Sequence, residues 1–262
     1  MDWFFEQYVF SPGHAVFEVN SIWDADSGLI RLRVAQVQNR DHGVPIYRTP
    51  VQIGIVTASG KRVEQVWLEN EWDEFVFEGR EEPLLVRFDE GNWLLKEWTY
   101  AKSVEQLLYQ ARHDDVIGRE WAVRELERFG NDARVGNELA AIAVNDSFWA
   151  VRLAALETIA ATDAPESVEL FQTAAADANS RVRRAAIRIL GGMGDQAMVP
   201  FFRDRFEVDD SYQVQAEALR AIGRSGDRSQ LGFLRQASEL PSHRDIIRSA
   251  AMWAIEQLEA GR

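Results

Sequence analysis

The feature that most constrains this chain is a segment that returns five times in its C-terminal half. Gly118-Arg-Glu-Trp-Ala-Val-Arg-Glu-Leu126, Val151-Arg-Leu-Ala-Ala-Leu-Glu-Thr-Ile159, Val182-Arg-Arg-Ala-Ala-Ile-Arg-Ile-Leu190, Val214-Gln-Ala-Glu-Ala-Leu-Arg-Ala-Ile222 and Ile247-Arg-Ser-Ala-Ala-Met-Trp-Ala-Ile255 align without a gap, and their first residues stand 33, 31, 32 and 33 apart. Apolar residues within each copy recur with a period near 3.6, the signature of an amphipathic helix. The fifth place is always alanine (Ala122, Ala155, Ala186, Ala218, Ala251), as it must be where helices approach closely. Second helical segments, such as 135–144 and 166–176, lie between the copies. One such unit cannot bury its apolar face alone, so the copies must stack; two helices per period define an α-solenoid. Gly191, Gly192, Gly194, Gly223 and Gly226 fall where helix C-caps are expected.

Upstream the period is two. Residues 15–23, 29–38, 51–55, 63–68, 74–78 and 84–88 alternate apolar and polar side chains, as half-buried strands do. Turn residues separate them, notably Asp24-Ala-Asp-Ser-Gly28. That cluster lacks the spacing and distal glutamate of an EF-hand, so it reads as a hairpin turn. Regularly spaced short strands predict an antiparallel β-sandwich. The handover from strand to helix period occupies residues 88–123. The expected organisation is therefore a β-sandwich over residues 12–100 and a helical-repeat domain over 101–262. Residues 1–11 crowd Trp3, Phe4, Phe5, Tyr8, Val9 and Phe10 before a Pro12-Gly13 stop. They read as the last turns of a helix whose partners belong to an upstream domain. Six of the nine tryptophans (Trp3, Trp23, Trp67, Trp72, Trp93, Trp98) lie in this half, where they are expected to fill the sandwich core or line a domain contact; a platform for a carbohydrate or aromatic ligand is the alternative.

Charge and composition exclude several functions. Net charge is −13, which repels phosphate backbones and argues against nucleic-acid binding. No apolar run approaches the ~20 residues of a membrane helix, and the start, MDWFFEQYVF, lacks the cationic opening of a signal peptide. With no cysteine there is no disulfide, thiolate nucleophile or cysteine zinc site, which suits the cytoplasm. Neither a Gly-x-Ser-x-Gly elbow nor a phosphate loop occurs. His113-Asp114-Asp115 invites a metal or acid–base reading, but an N-cap for the helix starting near Val116 explains it more simply. Trp149 and Tyr212 each stand two residues before a repeat start and read as packing between repeats, or as a rim for a peptide.

Asp146 stands six before Arg152 and Asp177 six before Arg183, while Asp209 stands six before Gln215. The series resembles the Asp/Arg ladder of HEAT repeats. It predicts that Arg152 and Arg183 hold aspartates between adjacent repeats, Asp146 and Asp177 being the candidates, rather than forming a ligand-binding row.

A second resemblance spans nearly the whole chain and is most specific up to about residue 130. Asp2-Trp-Phe-Phe-Glu-Gln-Tyr-Val-Phe10 with Pro12-Gly-His-Ala-Val-Phe-Glu-Val19, then Pro83-Leu-Leu-Val-Arg-Phe-Asp-Glu-Gly-Asn-Trp-Leu-Leu-Lys96, then Leu107-Leu-Tyr-Gln-Ala-Arg-His-Asp-Asp-Val-Ile-Gly-Arg119 are similar to the C-terminal part of the aminopeptidase N family of gluzincin zinc metallopeptidases. The resemblance implies the end of a catalytic domain, a sandwich that braces it, and a solenoid that restricts substrate access. The catalytic residues of that family do not carry over. His14, His42, His113 and His243 are followed by Ala, Gly, Asp and Arg, so none begins His-Glu-x-x-His, and Gly-x-Met-Glu-Asn is absent. A catalytic zinc needs about three protein ligands and an open position. The expectation is therefore no catalytic, cofactor or metal site in this chain, with zinc confined to a separate catalytic domain. The expected partner is that catalytic domain or another protein or peptide, the alternative being a free-standing repeat scaffold.

Overall fold

The computed structural model describes residues 2–162 and 168–260, so positions 166 and 167 of the anticipated 166–176 helix lie outside the described residues. The chain forms two compact units, 1–119 and 120–262.

In the first unit, strands β1 (Ala15–Asp24), β2 (Leu29–Gln36), β3 (Thr49–Thr57), β4 (Gly60–Leu68), β5 (Trp72–Glu78), β6 (Leu85–Phe88) and β7 (Lys96–Ala101) form two sheets, ordered β5-β2-β1-β7 and β4-β3-β6. Alternation places Phe17, Val19, Ile30, Leu32, Val34, Val51, Ile53, Ile55 and Phe88 in the core between them. Phe17 and Phe88 meet edge to face at 5.3 Å across the two layers. Pairing is antiparallel except at β1 and β7, which run parallel from Ala15↔Lys96 to Asn20↔Ala101. The expectation of a wholly antiparallel sandwich is corrected there. β7 alternates too, Trp98 and Tyr100 inward against Glu97, Thr99 and Ala101 outward, but two apolar places next to the helical period are too short a run for period alone to single out. The turn after β1 is closed by Asp24, whose carboxylate accepts from the Asp26 and Ser27 N–H groups and the Ser27 hydroxyl. It is a hairpin turn, with Gly28 at φ +65.

The tryptophans do not fill the core. Tyr47, Tyr100, Phe17 and Phe88 do, while Trp72 and Trp93 face outward. The N-terminal segment forms a short helix α1 (Asp2–Phe5) and one π turn (Glu6–Phe10). Trp3 meets Trp67 edge to face at 5.6 Å, and Tyr8 lies tilted against Tyr47 at 5.3 Å. The Gln7 amide donates to the Arg48 carbonyl at 3.0 Å and accepts from the Arg48 N–H. Trp3 and Tyr8 are thus partly sheltered by the β3–β4 sheet and its approach, leaving Phe4, Phe5, Val9 and Phe10 exposed.

The exit from the sandwich rests on buried charge. Asp89 adopts φ +54, and its carboxylate accepts from the Trp93 and Leu94 N–H groups and from Lys96 Nζ at 2.5 Å. Arg87, on β6, pairs with Asp114 and, at 3.0 Å, with Asp115. Helix α2 (Val104–His113) is thereby tied to the sandwich. Asp115 accepts from the Gly118 N–H at 2.8 Å, so the expected N-cap is Asp115, at the start of α3 (Val116–Glu125). Asp114 serves Arg87 and the Gln110 amide instead.

In the second unit, α4 (Ala133–Asn145) pairs with α5 (Trp149–Ala161), α6 (Val168–Ala174) with α7 (Ser180–Gly192), α8 (Val199–Val208) with α9 (Tyr212–Arg224), and α10 (Leu231–Ser238) with α11 (Ile246–Ala260). The five aligned copies lie on α3, α5, α7, α9 and α11, and α5–α7, α7–α9 and α9–α11 pack side by side. All five fifth-place alanines are buried. A Cβ on Gly191 would come within 2.5 Å of the Ala221 Cβ, and one on Gly223 within 2.7 Å of the Ala254 Cα. These two glycines sit inside α7 and α9 for close helix approach and are not caps. Gly194 and Gly226, at φ +68 and +74, take the left-handed turns just beyond.

Candidate interaction surface on the second helices

Two kinds of arginine lie on the repeated helices, and they differ in what their donors do. At the second place of its copy, Arg152 forms a fork on Asp177, with Nε to Oδ2 and Nη2 to Oδ1 both at 2.7 Å. Its Nη1 donates to the Asp146 carbonyl at 2.7 Å. Arg183 repeats this one unit on, at 2.7 and 2.8 Å to Asp209 and 3.0 Å to the Asp177 carbonyl, and adds Asp210. The ladder therefore links adjacent repeats, with one correction. The aspartate six residues before each arginine offers its carbonyl, and the carboxylate comes from the following repeat. Asp209 is accordingly a full member, although Gln215 breaks the sequence series. Gln215 keeps the carbonyl contact, at 2.7 Å to the Asp209 oxygen, and cannot pair with an acid. Burial alone pushes the Asp177 carboxyl up; the Arg152 hydrogen bonds and the Asn179 N–H outweigh it and hold the pKa below its usual value. Hydrogen bonding to their aspartates raises the Arg152 and Arg183 pKa values.

The second kind lies along the third, fourth, seventh and eleventh places, one stripe of the helix surface. Glu157 on α5 bridges Arg124 on α3 at 3.5 Å and Arg188 on α7 at 3.1 Å, while Glu120 holds Arg124 at 3.0 Å. Two guanidiniums and two carboxylates balance there. Further along, Glu217 on α9 is met by Arg184 at 3.6 Å, Arg220 at 3.5 Å and Arg224 at 3.1 Å. Three guanidiniums face one carboxylate. Glu217 is buried at a place that alanine fills in three other copies (Ala154, Ala185, Ala250). The alignment displays that anomaly, and sequence reasoning that followed only the Asp/Arg series passed over it. Arg224 also lies over the Trp253 ring at 5.5 Å.

The residues weighed earlier for chemistry fall elsewhere. His14 pairs with Glu97 at 2.8 Å on the surface, His42 sits in a turn at φ +62, His113 stacks on Tyr109 at 4.5 Å, and His243 lies in the turn before α11. Among the described residues no group of three His, Asp or Glu side chains is placed to hold a metal ion. Trp149 lies under the Arg181 guanidinium at 4.6 Å, a contact between neighbouring repeats, whereas Tyr212 is partly exposed. Among the described residues no helix is long and apolar enough to cross a membrane.

A two-sheet sandwich followed by stacked helix pairs with an Asp/Arg ladder defines a repeat-containing module. The family model for HEAT repeats matches residues 136–212. No curated protein sequence matches the chain. Among solved structures, aminopeptidase A of Legionella pneumophila in complex with aspartic acid is similar at 14% identity and TM-score 0.48, over 95% of this chain and 33% of that one. Human deoxyhypusine hydroxylase in complex with glycerol is similar at 22% identity and TM-score 0.43, over 48% of this chain and 44% of that one. The complex of CpcE and CpcF of phycocyanin lyase from Nostoc sp. PCC7120 is similar at 17% identity and TM-score 0.47, over 61% and 66%. The chain thus spans a third of the length of the Legionella enzyme's chain.

Proposed function

We propose that this chain is a non-catalytic module that binds a protein partner on the row of second helices. The observation that carries the reading is the stripe on α3, α5, α7 and α9, where exposed arginines outnumber carboxylates on a chain of net charge −13. Stacked repeats offer an extended surface whose neighbouring copies can each contribute a contact. The sequence resemblance to the C-terminal part of aminopeptidase N-like enzymes supports one setting: the partner is a catalytic domain, the module braces it and restricts substrate access, and zinc resides in that domain alone. The match to HEAT repeats over 136–212 supports the other, a free-standing scaffold.

The test mixes the chain with a separately produced catalytic domain of that family. Co-elution, with a lowered rate on long peptides and an unchanged rate on aminoacyl chromogenic substrates, supports the bracing setting. Failure to co-elute removes that setting and leaves the scaffold. The chain alone, incubated with zinc and dialysed, is expected to retain no stoichiometric metal and to show no chelator-sensitive hydrolysis. Turnover by the chain alone would overturn the non-catalytic reading.

A further inference from the structure

Arg184, Arg220 and Arg224 converge on Glu217 while spending few of their donors. Arg184 Nε stops 3.6 Å from the carboxylate and Arg220 Nη1 3.5 Å away, at or beyond the limit of a hydrogen bond, and Arg224 Nη1 reaches 3.1 Å. Each guanidinium carries five donors in a rigid fork. The ladder arginines show what saturation looks like: Arg152 makes two bonds to one carboxylate and one to a carbonyl, and its side chain is 12% exposed. Arg184 is 45% exposed, and Arg220 and Arg224 about a third. The balanced half of the stripe, Arg124 and Arg188 with Glu120 and Glu157, has no comparable surplus.

Resting on the reading of the chain as a protein-binding module, we propose that this cluster is the docking point for an acidic segment of the partner, one whose Asp or Glu side chains take the free edges of the three guanidiniums. Glu217 is the internal placeholder. Buried at an alanine place, it holds three like charges together when the site is empty. The Trp253 ring beneath Arg224 fixes one fork in orientation. Charge complementarity selects the occupant. A duplex carries one charge every ~1.7 Å and would extend onto the acidic remainder of a −13 chain, where it is repelled. A short acidic segment confines its charge to the cluster, and the planar fork matches a carboxylate in two-point contact.

The test is a fluorescence-polarisation titration of the whole chain with a labelled peptide bearing a run of Glu and Asp between neutral flanks, against its Gln/Asn counterpart. The acidic peptide is expected to bind and the neutral one not. Arg184→Gln and Arg224→Gln should each weaken binding roughly tenfold or more, the loss of one charge-assisted hydrogen bond. Glu217→Gln, which keeps the shape and removes the internal competitor, should tighten it. Arg33→Gln, an exposed arginine on β2 outside the stripe, should leave it unchanged, and circular dichroism of each variant checks the fold. Binding that ignores Arg184 and Arg224, or a Glu217→Gln variant that binds more weakly, would overturn the proposal. So would displacement by inorganic phosphate or an RNA oligonucleotide at lower concentration than free acidic peptide. Co-elution with the catalytic domain, run in parallel, separates the two readings. A complex that forms while the acidic peptide fails sinks the acidic site and keeps the module; peptide binding without a complex keeps the site and removes the aminopeptidase setting.

Discussion

Arginine is used in three ways in this chain, and burial decides which. Arg87 is almost wholly enclosed with Asp114, so removing one partner strands a charge away from water. Arg87→Ala, which leaves the enclosed Asp114 without its cation, should cost about 3–5 kcal/mol, the usual penalty for breaking a buried pair, measured by urea unfolding. Arg183, at 13% exposure and with a second acid beside it, lies between that limit and the ~1 kcal/mol ceiling of exposed pairs. Arg183→Ala is therefore expected to destabilise by roughly 1–4 kcal/mol, and an unchanged urea midpoint would show the rung to be decorative. Arg188, half exposed against Glu157, should be replaceable by Gln at under about 1 kcal/mol. The spacing of Asp146, Asp177 and Asp209 from the residues that follow was readable in the chain; which oxygen each offers was not. A six-residue interval brings the preceding carbonyl within reach of the guanidinium, while the carboxylate partner is 25 or 26 residues away. Only the stacking of repeats sets that longer distance.

At the scale of elements, period was the reliable guide and punctuation was not. The 3.6-residue recurrence located all five copies because each buries the same face, with alanine wherever a neighbouring helix comes near. Strands buried on one face were legible by alternation; β7, which pairs parallel to β1, alternates as well but offers only Trp98 and Tyr100 as apolar places, too few to stand out. Glycine misled: Gly191 and Gly223 read as helix ends, yet they lie within α7 and α9, opposite Ala221 and Ala254. Gly223→Ala places a methyl group 2.7 Å from the Ala254 Cα, closer than van der Waals contact allows. Overpacking of this kind costs typically ~1–3 kcal/mol, offset by about 1 kcal/mol of better helix propensity. A net loss of stability in thermal unfolding is expected. The same change at Gly232, where a new Cβ meets nothing within 4 Å, should be neutral or stabilising. A Gly223→Ala chain as stable as the parent would mean that α9 and α11 are free to separate.

For the whole molecule the prevailing quantity is charge. Forty-two acidic residues against twenty-nine basic ones set the acid side of the stability curve, because the carboxylates that matter are those held below their ordinary pKa. Asp177 is one. Its depressed folded pKa means the unfolded chain binds the proton more readily, so its contribution is complete above the unfolded value of about 4 and is lost as pH falls through the folded value. Arg152→Gln removes the strongest influence holding that pKa down. Stability measured by urea at a series of acidic pH values should then fall less steeply in the variant than in the parent. Parallel curves would place the acid sensitivity in other carboxylates. The surface stripe was beyond a charge count: a total of −13 hides a local excess of arginine that exists only once α7 and α9 lie together.

The rungs of the ladder also carry a direction. Each arginine takes its acid from the next repeat and its carbonyl from its own, so a unit bearing both residues presents a donor at one side and an acceptor at the other. Such a unit is compatible with a copy of itself. The segment from Asp146 to Ala176 could be duplicated in tandem, its new Arg meeting its new Asp, and the array would lengthen without a foreign junction. Gln215 ends that grammar: it accepts a predecessor through Asp209 and offers nothing charged to a successor. Beyond it the glycine–alanine seam between α9 and α11 and the Arg224–Trp253 contact take over, and insertion there would meet no acid rung.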